Sequence, residues 1–225
     1  MVIRGYLNNE TLIHSMKSVI VLGVINMKDY EQLKKFIDEH NSNIITVEEF
    51  KNHDINFYYI KKLIEDNYIA RKDKGIYIKS ETSEDPYYTF QYRYKNTIYS
   101  YGSALYLLNK IDSMPEYMDI TVPSDYHVEI ENDHVRFHFT NRNNINLGVI
   151  TIKTLYGNEV KTYNLERTVC DLVKFDNKCG IDPDIRRKVI RKAFDYKEID
   201  TSLLMAYARQ LKCDKKMSVI VDILS

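Results

Sequence analysis

The chain has no tryptophan, three cysteines, four prolines and seven glycines in 225 residues. Each scarcity removes a class of protein. Cys170, Cys179 and Cys213 are odd in number and form no C-x-x-C. That argues against a disulfide framework or zinc knuckle and fits a reducing cytoplasm. All three read as small apolar core residues. No segment reaches the ~20 apolar residues that span a bilayer. The nearest approach, SVIVLGVI from Ser18 to Ile25, has one lysine before it and no small-residue cleavage site after it, a poor match to a signal peptide. P-loop, G-x-G-x-x-G, G-x-S-x-G and H-E-x-x-H motifs are missing, so no cofactor, metal or enzymatic activity is expected. Neither sign of charge is in excess: 32 basic residues face 32 acidic ones. The low Gly and Pro usage accompanies abundant Ile, Lys, Asn and Tyr, the product of an AT-rich genome, and carries little functional weight.

What is present is helical periodicity followed by strand alternation. Leu33, Phe36 and Ile37 predict a helix over 28–40. Thr46 stands three residues before Glu49, a capping-box pattern that opens a helix over 47–52. Asn56 is an N-cap for a third helix ending near Asn67, with Ile55 and Ile60 as a hydrophobic staple. YIARK and GIYIKS then read as a hairpin joined by DKG, where Gly75 can take a positive φ. Three helices and a hairpin within residues 28–80 predict a winged helix-turn-helix. SETSEDP, 80–86, reads as a linker. Residues 86–225 form a mixed α/β domain: a small, mostly antiparallel sheet with helices at its C-terminal end. The fold class is α+β. Residues 1–27 are either an upstream extension, with the natural start at or near Met27, or an apolar segment packed on the body.

The third helix can be set out at about 100° per residue. Phe57, Ile60, Leu63, Ile64 and Asn67 then fall on one face, read as core. Tyr58, Lys62 and Glu65 centre the opposite face, flanked by Tyr59, Lys61 and Asp66. Tyr58 and Lys62 are expected to meet a major groove, with Asn56, Tyr59 and Lys61 reaching phosphates or base edges. Arg71, Lys72, Lys74 and Lys79 on the hairpin suit phosphate or minor-groove contact. Charge supports this once it is mapped. Residues 28–55 hold four basic and seven acidic residues, and 56–80 hold six basic and three acidic. The domain is dipolar, with its positive end on the expected reading edge. The competing account is a winged helix that binds protein.

Three weaker signals lie downstream. IRRKVIRKAFDYK clusters Arg186, Arg187, Lys188, Arg191 and Lys192, with Arg187/Arg191 and Lys188/Lys192 each sharing a face and Ile185, Val189 and Ile190 turned to a core. This is either a solvated helix face or a second contact to nucleic acid or an acidic partner. Glu159 and Lys161 give the E-x-K end of a PD-(D/E)xK nuclease, with Asp119 as the upstream metal ligand; a strand of alternating charge gives the same pattern by chance. His134 and His138 are four apart on a strand, about 13 Å, too far for one zinc ion. Gly102–Ser103 matches the start of a nucleotidyltransferase motif, but no D-x-D follows at the expected distance.

Several segments together resemble the AbiEi-type antitoxins of type IV, abortive-infection toxin–antitoxin systems. They are KGIYI in the hairpin, SYGSALYLLNKI, DITVPSDY, LGVITIK and, most specifically, VKTYNLERTVCDLVKF. The similarity spans residues 28 to the C-terminus. It implies a transcriptional autorepressor that binds inverted repeats in its own double-stranded operator DNA; because one winged helix reads only a few base pairs, monomers binding cooperatively on repeated sites are expected. It also implies a second domain that neutralises a co-encoded nucleotidyltransferase toxin without a stable complex. Glu166 and Arg167 read as an internal ion pair tying helix to sheet. The alternatives are a ligand-sensing winged-helix transcriptional regulator and a nuclease.

Overall fold

The computed structural model describes residues 30–127, 133–175 and 180–224. The expected N-terminal extension and Cys179 lie outside these residues. The chain divides into two compact units, one ending at Glu84 and the other beginning at Asp85.

In the first unit, α1 is described over 30–39. It is followed by β1 (Ile44–Thr46), α2 (Val47–Asn52), α3 (Phe57–Glu65), β2 (Ile69–Asp73) and β3 (Ile76–Lys79). Both halves of the Thr46–Glu49 capping box are made, and the Asn56 side chain accepts from Tyr58 N. These side chains meet backbone N–H groups that a helix start leaves unpaired. β1 is an addition to the expected elements. It is only three residues long, too short for alternation to register, and it pairs antiparallel with β3 to give the sheet order β1-β3-β2. Tyr30, Leu33, Ile37, Phe50, Ile60, Leu63 and Ile69 form the core.

The second unit runs α4 (Pro86–Arg93), β4 (Ile98–Tyr99), α5 (Tyr101–Leu107), β5 (Met118–Pro123), β6 (Val135–Thr140), β7 (Val149–Lys153), β8 (Glu159–Tyr163), α6 (Leu165–Lys174), α7 (Pro183–Asp195), α8 (Thr201–Gln210) and α9 (Asp214–Leu224). Its sheet has the order β6-β5-β4-β8-β7. The expectation of a mostly antiparallel sheet is corrected here. β4·β5 and β7·β8 are antiparallel, but β5·β6 and β4·β8 are parallel. Side-chain alternation has the same period in both pairings, so it carries no information on strand direction. Asp85, buried at the start of the unit, caps α4 and accepts from Thr154 Oγ1 and Asn158 Nδ2 at 2.5 and 2.7 Å. The stretch read as linker therefore ends inside a folded unit.

Helix α6 is the hub. Residues Leu165 to Val173 are all buried, packed among α5, α7, α8 and α9. A helix buried all round must satisfy its polar side chains internally. Thr168 Oγ1 donates to Asn164 O, and Glu166 Oε1 accepts from Asp200 N at the start of α8 at 3.1 Å. Arg167 Nε donates to Asp171 Oδ2 at 3.0 Å, while Nη1 donates to the carbonyls of Asn144 and Leu147. The expected Glu166–Arg167 pair is thus replaced by an i,i+4 pair within the helix. Adjacent positions on a helix point about 100° apart, so Glu166 and Arg167 face different neighbours.

Glycine scarcity shows at the helix ends. Asp54, Asn67, Asn109, Lys197 and Lys212 take positive φ just past their helices, where glycine is the usual residue. Gly148 is kept for a different reason. Its φ is +76°, and an added Cβ would meet Arg167 Cβ at 2.6 Å and Asn164 Oδ1 at 2.7 Å. Gly148→Ala is expected to cost at least about 1 kcal/mol from backbone conformation alone, with steric cost added; a shift of the urea midpoint measures it.

Candidate nucleic-acid interface

Helix α3 presents a face rotated from the one polarity predicts. Phe57 and Tyr58 are 65% and 63% exposed, and Asn56, Lys61 and Glu65 are exposed with them. Tyr59 is 8% exposed and belongs to the core. Polarity puts Phe57 inside and Tyr59 outside; packing reverses them. The reason is Tyr30 on α1. Its ring stacks on Tyr59 at 6.3 Å, and its hydroxyl donates to Asp66. Lys62 follows the same flank, with Nζ 4.4 Å from the Tyr30 ring centroid, a cation–π contact. Helix α1 therefore covers the Tyr59–Lys62–Asp66 side, and Asn56, Phe57, Tyr58, Lys61 and Glu65 remain in solvent. Phe57 is the exposed residue of this face that sequence reasoning missed.

The hairpin residues sort in the same way. Arg71 and Lys74 are exposed. Arg71 lies next to a register shift between β2 and β3, and Gly75 turns the chain with φ +77°. Lys72 is engaged by Glu84 at 2.8 Å. Lys79 is tied down: its Nζ donates to His40 O at 2.8 Å, beyond the end of α1. A cation there complements the helix C-terminus, so Lys79 has a structural contact that its place on the hairpin does not reveal. Lys61, Arg71 and Lys74 stay exposed beside two exposed aromatic rings, with Arg71 Nε donating at 3.4 Å to Asp73 O in its own hairpin.

In the second unit the basic cluster lies on α7. Arg187, Lys188, Arg191 and Lys192 are exposed, Arg186 is half-buried, and Val189, Ile190 and Ala193 pack into the core. Ile185, expected to point inward, is 45% exposed. The cluster is not one surface. Lys188 and Lys192 border a cavity of about 590 Å³ that also carries Asp112, Glu116, Asp182 and Glu198. Arg187 pairs with Asp184.

The expected nuclease constellation does not assemble. Ile120, Tyr99 and Thr162 lie in register across β5, β4 and β8. Glu159 and Asp119 lie on opposite sides of that line, about 13 Å apart along the strands and two strands apart across them. Asp119 is buried and otherwise engaged. His138 Nε2 lies 2.8 Å from its Oδ1, and Gly102 N donates to its Oδ2. His134 is exposed just before β6, so the two histidines do not converge. Among the described residues no group of three or more His, Cys, Asp or Glu side chains could hold a metal ion, and no helix is long and apolar enough to cross a membrane. Cys170 and Cys213 are free thiols in the core.

No family model matches the chain, and no curated protein matches it. Among solved structures it is similar to the crystal structure of RV2827C protein from Mycobacterium tuberculosis, with a TM-score of 0.51 and 12% identity, over 81% of this chain and 71% of that one. At that identity the likeness concerns the fold alone.

Proposed function

We propose that the first unit is a winged helix-turn-helix that reads double-stranded DNA, and that the chain is an antitoxin repressing its own operon. The observation that carries the DNA reading is the exposed α3 face, where Asn56, Phe57, Tyr58 and Lys61 stand free of the core. Arg71 and Lys74 on the adjoining hairpin supply phosphate contacts. Exposed aromatic groups suit the thymine methyl, and Asn or Lys suit base edges, in the major groove. Tyr59 and Lys79 are left out of this interface. Lys62 and Lys72 are secondary to it, because each already has a partner. One such module covers few base pairs, so monomers binding cooperatively on inverted repeats are the route to operator affinity.

The antitoxin half of the proposal rests on the resemblance carried by VKTYNLERTVCDLVKF. That segment supplies β8 and the buried hub α6, so its distinctive residues build the second unit. Neutralisation of a nucleotidyltransferase toxin is assigned to that unit's surface, with Arg187 and Arg191 of α7 as a candidate second contact to nucleic acid.

The test is fluorescence anisotropy of the operon's promoter DNA over a salt series. Lys61→Ala and Arg71→Ala should each weaken binding and reduce the log–log salt slope by about 1. Lys79→Ala should leave the slope unchanged. Unaltered slopes for both Lys61→Ala and Arg71→Ala would remove the assignment. Co-expression with the adjacent gene product tests the antitoxin half; no rescue of growth would reject it while leaving DNA binding standing.

A further inference from the structure

The second unit holds a polar pocket of about 380 Å³, between the β5–β6 end of the sheet and helix α6. None of the functions above uses it. Its composition is unusual for a gap between packed elements. Lys174 and Lys212 both border it, and neither makes an ion pair among the described residues. Arg167 adds a third cation, and Asp171 is the one lining carboxylate. Thr121, 3% exposed, also lines it, and its Oγ1 has no hydrogen-bond partner. Buried hydroxyls are nearly always paired, so an orphan beside a pocket calls for a partner that enters it. One aromatic ring borders the pocket with free surface, Phe175 at 36% exposed, with Lys174 Nζ 5.0 Å from its centroid. Phe139 turns its ring to the other face of the sheet, since Thr121 and His138 are in register and side chains alternate.

These features select a ligand class. Excess positive charge with a hydroxyl donor suits a dianionic oxyanion. Lys is a point-charge partner for phosphate. An exposed aromatic face suits a planar ring, because every nucleobase has a π-face to stack. The volume lies within the ~300–1,000 Å³ of small-molecule sites. We propose that this pocket binds a nucleoside monophosphate. The phosphate lies against Lys174, Lys212 and the Thr121 hydroxyl, and the base stacks on Phe175.

Calorimetric titration of the full chain with AMP and UMP tests this, with adenosine, uridine and inorganic phosphate as controls. At least one monophosphate should bind with micromolar affinity and raise the melting temperature. The matching nucleoside and inorganic phosphate should each bind at least ~10-fold more weakly, since each lacks half of the recognition. Thr121→Val keeps the side-chain shape and removes the orphan hydroxyl. It should weaken monophosphate binding about tenfold while leaving the ligand-free melting temperature unchanged or raised, a combination that a merely structural threonine would not give. Lys212→Ala should weaken binding by a similar factor. Promoter binding without nucleotide should be unaffected in both variants, which separates this proposal from the DNA reading. Three results would overturn it: no monophosphate binding at millimolar concentration, nucleoside or phosphate binding as tightly as the monophosphate, or wild-type affinity in both variants.

Discussion

Arg167→Met should destabilise the second unit by about 3–5 kcal/mol, the cost of breaking a buried ion pair by removing one partner. The substitution keeps much of the side-chain volume and deletes the charge. Asp171, 3% exposed, would be left without its guanidinium. Burial already pushes the Asp171 carboxyl above its ordinary range, and the charge and hydrogen bond of Arg167 pull the other way. Two carbonyls, at Asn144 and Leu147, would also lose their donor. The Tyr163 ring, 4.2 Å from the guanidinium, would lose a cation–π partner. Denaturant unfolding followed by circular dichroism measures the loss. Glu166→Gln is the control: it keeps an acceptor for Asp200 N and should cost far less. Equal effects for the two would mean that α6 is not anchored through Arg167.

The second large effect is expected at α3. Tyr58→Ala combined with Lys61→Ala should lower affinity for promoter DNA by about 100-fold, taking ~1–3 kcal/mol for a base contact together with the loss of a phosphate contact. Both side chains are exposed, so stability should stay within ~0.5 kcal/mol of wild type. Tyr59→Ala should behave in the opposite way. It removes a ring packed against Tyr30, and truncation of a large buried aromatic costs about 3–5 kcal/mol. Any loss of DNA binding in Tyr59→Ala should then follow its loss of folded protein. Calorimetric melting and anisotropy on the same samples separate the two outcomes. Binding loss without unfolding in Tyr59→Ala would return this residue to the interface.

The contrast between Tyr58 and Tyr59 shows where the sequence is informative. Helix starts were legible because capping is local chemistry: Thr46 with Glu49, and Asn56, cap as their types predict. That the second unit holds a sheet with helices at its C-terminal end was legible too. The rotation of α3 was not, because it depends on Tyr30, more than twenty-five residues away, and an amphipathic tyrosine fits either side of a surface. The Lys79 contact was not legible for a similar reason. Its position on a hairpin suggests a wing, but its partner is the carbonyl of His40, brought near by β1 pairing with β3. Strand direction in the second sheet and the convergence of Thr121, Lys174 and Lys212 are likewise tertiary facts, since these residues lie on β5, α6 and the turn after α8.

The central claim is that a neutral chain reads DNA through a locally basic, aromatic edge. Footprinting and anisotropy with the full chain on its own promoter, against a scrambled duplex at physiological salt, test it most directly. The account predicts protected inverted repeats, cooperative binding at least ~10³-fold tighter than to the scrambled duplex, and loss of that preference in the Tyr58→Ala, Lys61→Ala variant. Equal affinity for both duplexes, or a preference that survives in the variant, would contradict it.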